Sequence, residues 1–413
     1  MKIVKLSAAQ FDRFAANHKY RNYFQTSMYA NVMSKFGYHA QFLGIVSDDN
    51  KLSGATVILY KTVFMKNKIA YAPRGILFNY ENRNQLEELV HKLKSVLGKQ
   101  GFMVLRIDPY IPLSIRDTDG AIMNFNAKGN EIIENLKSVG FEYKGKNIYF
   151  ETEKPRWEAI VTLQRDLEEL FSRLDKRTRN KIRKALNSGV VVERDSTKNI
   201  NKLFSFVGKK DNNPLSFYKE MKEQFDVDID IYYAKIKAGN YVVNSRRNYE
   251  KEIEYNESLS EKIQDLNIDP KEKELYINKK IESDKLINSF KANLLKATDI
   301  LKQNPDGIFI GGAMVIRYDN AAYIYTEGFD EQYSSLNPSA LLKWQMISDY
   351  TQEGFKYINL NAVVGEFEKQ NKYSGLNESK LGFNSIVTEY IGEFDIVLNG
   401  FAFNWYKKLN KGK

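Results

Sequence analysis

The sequence predicts an α/β (α+β) fold: a duplicated α/β body with an inserted antiparallel two-helix coiled-coil arm. Three observations predict it. Helix-like and strand-like segments alternate through both halves, which is the pattern of layered α/β architecture. A junction in which a helix ends at Gly-Phe and a strand follows recurs in two ordered pairs, Gly101-Phe102 with Gly140-Phe141 and Gly354-Phe355 with Gly382-Phe383. Between the halves, the stretch from Asn240 to Asp306 has no glycine and only Pro270 and Pro305, and it is crowded with Glu, Lys and Asn.

Taken in order, "HAQFLGIV", "GATVILY" and "KIAYAPRG" are rich in β-branched and aromatic residues and are expected to be strands. In "RNQLEELVHKLKSVLGKQG", Leu86, Leu89, Val90, Leu93 and Leu97 fall on one helical stripe, with Gly101 as the stop. "FMVLRIDPY" follows as a buried strand ending at Pro109. In the glycine-free stretch, Tyr249, Ile253, Leu259, Ile263 and Leu266 approximate a 3/4 spacing, and Ile287, Phe290, Leu294, Ala297 and Leu301 keep it at steps of 3, 4, 3 and 4. The turn signal Asn267-Ile268-Asp269-Pro270 separates the two runs. Two helices of roughly 25–30 residues would make an arm about 40 Å long. The expected division is residues 1–150 as the first α/β domain, 151–238 with 305–398 as the second, 239–304 as the arm and 399–413 as a C-terminal tail helix.

Composition removes several chemistries. There is no cysteine, so no disulfide, thiolate nucleophile or zinc-thiolate site, and His18, His39 and His91 are scattered with no HExxH. No Walker or Rossmann glycine loop is found, and neither metal nor cofactor is expected. No apolar run approaches the ~20 residues of a membrane span, and the N-terminus has no apolar signal core, so a cytoplasmic location is expected. The net charge of +10 points to an anionic partner, whether nucleic acid, anionic lipid or a phosphorylated substrate, with solubility as the plainer reading.

The charge has a focus. In "DKRTRNKIRKALNSG", Leu174, Thr178, Ile182, Ala185 and Leu186 make an inward stripe, and Lys176, Arg177, Arg179, Lys181, Arg183 and Lys184 cover the rest with no acid as far as Val192. Like charges at i,i+3 and i,i+4 repel by a few tenths of a kcal/mol per pair, so a helix that keeps them is suited to a phosphate backbone. Asp108 ends a buried strand, where α/β sheets place ligands; it is either a general base or the cap of the Pro109 turn. Arg74, in "APRGI", either clamps a phosphate or pairs with a carboxylate. Tyr325, in "YIYTEGF", is either core or contact.

The motif series "FQTSMY", "YAPRGI", "LRIDPYIP" with "DTDGAI", "RTRNKIRKALNSGVVV", "SFYKEM", "YIYTEGF", "LLKWQMI" and "SGLNESKLGFNSIVTEYIGEFD" resembles, in order and over nearly the whole chain, the Fem family of aminoacyl-tRNA-dependent peptidoglycan peptidyltransferases. The resemblance implies tandem GNAT-like acyltransferase domains with the arm inserted in the second. It implies transfer of an amino acid, commonly glycine, alanine or serine, from aminoacyl-tRNA to the stem-peptide amine of lipid II or UDP-MurNAc-pentapeptide. Contact with the inner face of the plasma membrane would accompany a lipid-linked acceptor, in a monomer or homodimer. Lys380 matches the lysine of the family's "FKxGF" motif, near the acyl-tRNA end, and Asp108 matches a candidate base. Tyr325, Phe217 and Tyr218 match residues of the acceptor site, and Arg74 is a candidate for the acceptor phosphate. The chain departs from the family in three places: Ser379 stands where a phenylalanine precedes the lysine, Asn213 where some members have arginine, and Met33 where some have a diphosphate-binding lysine, with Lys35 two residues on.

Two other classes compete with this reading. An acyl-CoA-dependent GNAT enzyme would need a Q/RxxGxG/A loop, which "GKQGF" and "TQEGF" do not supply. A non-catalytic tRNA or envelope-assembly scaffold built on the arm would tolerate loss of Lys380.

Overall fold

The computed structural model describes residues 1–410 except 65, 164, 165, 210, 211, 266, 267 and 369. The first part of the chain supplies β1 (Lys2–Lys5), β2 (His39–Val46), β3 (Leu52–Phe64), β4 (Asn67–Ala72), β5 (Phe102–Ile107), β6 (Pro112–Arg116), β7 (Ile122–Phe125) and β8 (Glu142–Tyr143). The rest supplies β9 (Trp157–Thr162), β10 (Val190–Arg194), β11 (Ile229–Ile236), β12 (Ile308–Tyr318), β13 (Ala321–Phe329), β14 (Tyr357–Ala362), β15 (Ile386–Tyr390) and β16 (Phe394–Val397). Among the described residues they form a seven-stranded sheet, β1-β2-β3-β4-β5-β16-β8, and a nine-stranded sheet, β10-β11-β12-β13-β14-β9-β15-β6-β7.

Both sheets follow one plan, as the repeated junction implies. Four antiparallel strands lead to a helix and then to a strand parallel to the fourth: helix Arg83–Lys99 joins β4 to β5, and helix Pro338–Gln352 joins β13 to β14. Gly101 and Gly354 end those helices at φ +84° and +80°, where a Cβ would strain the backbone.

The sheets also exchange strands. β6 and β7 join the second sheet through β15, with Arg116 opposite Val387, while β16 sits between β5 and β8 of the first, with Phe394 opposite Ile107. Sheet membership therefore does not change at residue 150. A third core lies between the halves, where Val57 and Leu59 of β3 meet Ile231 and Tyr233 of β11 across Phe11, Tyr29 and Phe225. Ion pairs hold the exchanged strands: Arg106 Nε of β5 donates to Asp395 Oδ1 of β16 at 2.8 Å, and Arg116 Nη2 of β6 to Glu389 Oε2 of β15 at 3.2 Å.

Helices Ala238–Gln264 and Pro270–Gln303 run against each other antiparallel, with Lys262 over the Tyr276 ring and Asn256 facing Ser283. They are inserted at the tip of a β-hairpin, since Ile236 of β11 pairs with Ile308 of β12. Tyr241, Ala297 and Ile300 root the pair in the core of the second sheet. Leu259 and Ala297 are buried, and the other expected seam residues are half-buried, except Leu266, which with Asn267 of the turn lies outside the described residues. Sequence spacing missed a polar layer in the seam. Asn256 donates to Ser283 Oγ (3.1 Å) and Asp284 Oδ1 (2.8 Å) and accepts from Lys280 Nζ (2.6 Å). A buried asparagine of this kind fixes register at a cost in stability.

Candidate active site

The site begins where two parallel strands part. β13 and β14 pair from Ala321 opposite Tyr357 to Tyr323 opposite Asn359, and then stop. Asn361 turns away at φ +70°, and its Nδ2 donates to the carbonyls of Ile324 (3.2 Å) and Tyr325 (3.1 Å) in place of the ladder. A cavity of ≈ 530 Å³ opens beyond the split. Tyr325, Thr326 and Glu327 wall it from β13, Asn361 from β14, Ser379 and Lys380 from helix Ser374–Leu381, and Thr178 and Lys181 from the basic helix Lys176–Asn187. Crevices at the ends of parting strands are the usual ligand sites of α/β sheets.

Lys380 is half-buried, and its Nζ donates to the Ala362 carbonyl. Desolvation, reinforced by the nearby Lys343 ammonium, pulls its pKa down to about 7. Lys343, 1% exposed on helix Pro338–Gln352, donates to Glu327 Oε1 and to Ser339 Oγ (2.8 Å). Burial pushes the Glu327 carboxyl up, but Lys343 and Ser339 outweigh it and hold the group below its ordinary range. Its other oxygen, Oε2, is buried and has no hydrogen-bond partner. The cavity wall thus carries the ammonium groups of Lys380 and Lys181 and the carboxylates of Glu327 and Glu378, with Lys343 buried behind Glu327 and outside the lining. It can stabilise an oxyanion and hold a protonated amine at once.

Sequence reasoning missed Glu327 and Lys343, although both stand in quoted motifs. Glu327 follows Tyr325 by two residues, past a β-bulge at Tyr325 that lets Tyr325, Thr326 and Glu327 all reach the cavity. Lys343 interrupts the apolar helix segment "LLKWQMI". A lysine at an inward position signals a buried partner, and that was the available clue.

Tyr325 lines the cavity, and its ring stacks on Phe217 at 6.2 Å and 23°. Phe217 is buried behind it, against Phe36 at 5.3 Å, and Tyr218 is fully buried in the core between the halves. Lys35 is exposed at the end of helix Ser27–Lys35 and does not line the cavity.

On the basic helix, Lys176, Arg177, Lys181, Arg183 and Lys184 are exposed, and Arg179 is half-buried with Nη1 donating to Ser172 O at 2.6 Å. Thr178, Ile182 and Ala185 face inward as expected, but Leu186 is 50% exposed. It lies one position past the stripe, beyond the reach of the core. A second cavity of ≈ 500 Å³, lined by Arg173, Arg177 and Lys181 and by the acids Asp119, Asp175, Glu366, Glu368 and Glu378, shares Thr178, Lys181 and Glu378 with the first. The basic helix therefore borders the Lys380 cavity directly. Gly382 makes this possible. Its φ is an ordinary −60°, but a Cβ there would lie 2.1 Å from Thr178 Oγ1, and the Asp175 N–H donates to its carbonyl at 3.0 Å. The "LGF" glycine is a close-approach residue rather than a turn residue.

Asp108 and Arg74 are elsewhere. Both are 2% exposed. Asp108 accepts from the Arg74 N–H (2.6 Å) and Nη1 (3.5 Å), while Arg74 Nη2 donates to Glu158 Oε1 (2.7 Å) and Pro155 O (2.8 Å). The guanidinium carbon lies 5.1 and 4.9 Å from the centroids of the Tyr110 and Tyr390 rings, which stack on each other at 4.5 Å. Glu158 Oε2 accepts from Asn359 Nδ2 (2.7 Å), Tyr390 OH (2.9 Å) and Tyr110 OH (3.1 Å). Burial raises the Asp108 pKa to about 6 against the pull of Arg74. The network ties the ends of β4 and β5 to β9, β14 and β15. Of its members, Glu158 is close enough to act on the charge of Lys380.

Residues 6–411 match the model of the FemAB family. The chain is 24% identical over 412 residues to the lipid II:glycine glycyltransferase of Staphylococcus epidermidis, covering 97% of this chain and 93% of that protein. Against the lipid II:glycine glycyltransferase of Staphylococcus aureus it is 22% identical over 420 residues, with the same coverage. The crystal structure of FemX superposes with a TM-score of 0.72 at 19% identity, covering 98% of this chain and 99% of that one.

Proposed function

This chain belongs to the FemAB family, and we propose that it transfers glycine from glycyl-tRNA to the stem-peptide amine of lipid II, building the interpeptide bridge. The observation that carries the reading is the cavity lined by Lys380 and Glu327, with Lys343 buried behind Glu327, and bordered by the basic helix. The relatives' names supply the glycine and the lipid II. The phosphate-binding character of the helix supports tRNA as the donor.

In this mechanism the acceptor amine attacks the ester carbonyl of glycyl-tRNA. An amide C–N bond forms, the ester C–O bond to the ribose breaks, and a proton passes from the amine to the departing ribose oxygen. The Lys380 ammonium faces the developing oxyanion, where a preorganised cation acts most strongly. Its pKa near 7 also suits it to hand a proton to the leaving oxygen. The negative charge of Glu327 favours the α-ammonium of the glycyl group in the cavity, and Tyr325 backed by Phe217 forms the wall beside it. Lys181, Arg177, Lys184 and their neighbours follow the phosphates of the acceptor stem. Asp108 and Arg74 act by holding the two sheets together, not as base and phosphate clamp. The protein works at the inner face of the membrane, where a lipid-linked acceptor is presented.

The test is incubation with a panel of aminoacyl-tRNAs and lipid II. Glycyl-tRNA is expected to give lipid II heavier by one glycine residue, and the K181E/K184E variant to lose tRNA affinity with a shallower salt dependence. No product with any aminoacyl-tRNA would overturn the reading.

A further inference from the structure

The helix Gly400–Asn410 belongs neither to the cavity nor to the basic helix. One face fixes it in place. Phe403 is buried against Met103 and Val104 of β5, with Ala402 and Tyr406 beside it. The N–H groups of Leu398 and Asn399 both donate to the Met103 carbonyl, at 2.8 and 3.1 Å, which sets how the helix enters. With that face held down, the opposite one carries Phe401, Trp405 and Leu409 at i, i+4 and i+8, and these are 88%, 46% and 54% exposed.

The charge around this stripe has one sign. From Ile396 to Lys413 there is no acidic residue, and Lys407, Lys408, Lys411 and Lys413 stand in the same stretch. Exposed Lys66 and Lys99 flank the Gly101 turn, two residues before Met103. An aromatic and aliphatic stripe on a helix seated by Phe403, in a stretch whose charged residues are all lysines, has the composition of an interfacial helix. A second copy of this face would set its lysines against like charge, whereas anionic headgroups complement them.

We propose that helix Gly400–Asn410 lays its Phe401, Trp405 and Leu409 stripe into the headgroup–acyl boundary of an anionic lipid bilayer, with the neighbouring lysines on the lipid phosphates. The surface stands on its own geometry. Joined to the proposed function, it deepens that reading by bringing the transferase to its lipid-linked acceptor.

The experiment uses the full chain with phosphatidylglycerol vesicles, phosphatidylcholine vesicles and soluble glycerophosphoglycerol, followed by co-sedimentation and tryptophan emission. Trp157 is buried and Trp344 half-buried, so Trp405 is the exposed reporter. Phosphatidylglycerol vesicles are expected to bind the protein and shift its emission to the blue, and W405F to abolish most of the shift. F401S/L409S is expected to weaken binding by more than about tenfold, and K407Q/K408Q by about fivefold per lysine, each with an unchanged circular dichroism spectrum. Three results would each overturn the proposal: equal binding to phosphatidylcholine, full competition by glycerophosphoglycerol, or a stripe that instead mediates dimerisation lost in F401S/L409S. The two readings fail separately. F401S/L409S should transfer glycine to a soluble UDP-linked acceptor as well as the parent does. A protein that binds vesicles but transfers nothing would sink the transferase reading and leave the membrane helix standing.

Discussion

Lys380 sits in a half-buried setting beside a second ammonium, and that setting has a thermodynamic cost with a definite sign. A base whose pKa falls from 10.5 unfolded to about 7 folded destabilises the native state fully below pH 7, and the penalty fades as pH rises toward 10.5. K380M is therefore expected to melt above the parent at pH 6, with the gap closing at alkaline pH, while losing transfer. Thermal melts across pH read this out, and a gap that is absent or grows with pH would contradict the assigned environment. Arg74 is a different case. R74M leaves Asp108 and Glu158 as buried carboxylates, and breaking such a pair costs about 3–5 kcal/mol. Denaturant titration should show that loss with the acceptor KM unchanged; unchanged stability with a raised KM would restore the phosphate-clamp reading. At this scale the sequence was legible only in part. Lys380 and Tyr325 could be placed from motif resemblance. Arg74 and Asp108 could not, because a residue at a strand end looks the same from the sequence whether it faces a ligand or another sheet.

At the scale of elements, the decisive contact is the one between the basic helix and helix Ser374–Leu381 at Gly382 and Thr178. G382A would place a Cβ 2.1 Å from Thr178 Oγ1, and overpacking of this kind costs roughly 1–3 kcal/mol. It should also push Lys181 away from the Lys380 cavity and lower transfer. T178A in the same chain should restore most of both losses, and a double variant no better than G382A would place the strain elsewhere. The inward face of the basic helix was legible through Ile182 and Ala185, because helical periodicity follows burial. The role of Gly382 was not: three of the four Gly-Phe glycines have φ of +80° or more and end helices, and the fourth, at an ordinary φ, is required by the close approach of Thr178. The seam of the arm shows the same limit, since Asn256 is polar and an apolar pattern passes over it.

At the scale of the molecule, the two halves share strands as well as a core. Residues 1–150 lack β16, which lies between β5 and β8 of their own sheet, and their β6 and β7 have no β15 to pair with. The isolated fragment 1–150 is expected to show no cooperative unfolding transition in circular dichroism, whereas the full chain should show one. A stable, cooperatively folding fragment would mean that the exchanged strands contribute little. The duplication was legible because the Gly-Phe junction marks the entry to an equivalent strand in each sheet. The exchange was not, because strand pairing is decided by contacts hundreds of residues apart. The Arg74 network adds to that exchange by tying the ends of β4 and β5 to Glu158 of β9, Asn359 of β14 and Tyr390 of β15.

The most direct test of the central claim is the mass of lipid II after single-turnover reaction with glycyl-tRNA, compared among the parent, K380M and E327Q. One added glycine is expected with the parent and none with K380M. With E327Q the expected result is weak transfer that no longer prefers glycyl-tRNA over N-acetylglycyl-tRNA. Undiminished transfer by K380M, or an E327Q variant that keeps the parent's preference, would contradict that claim.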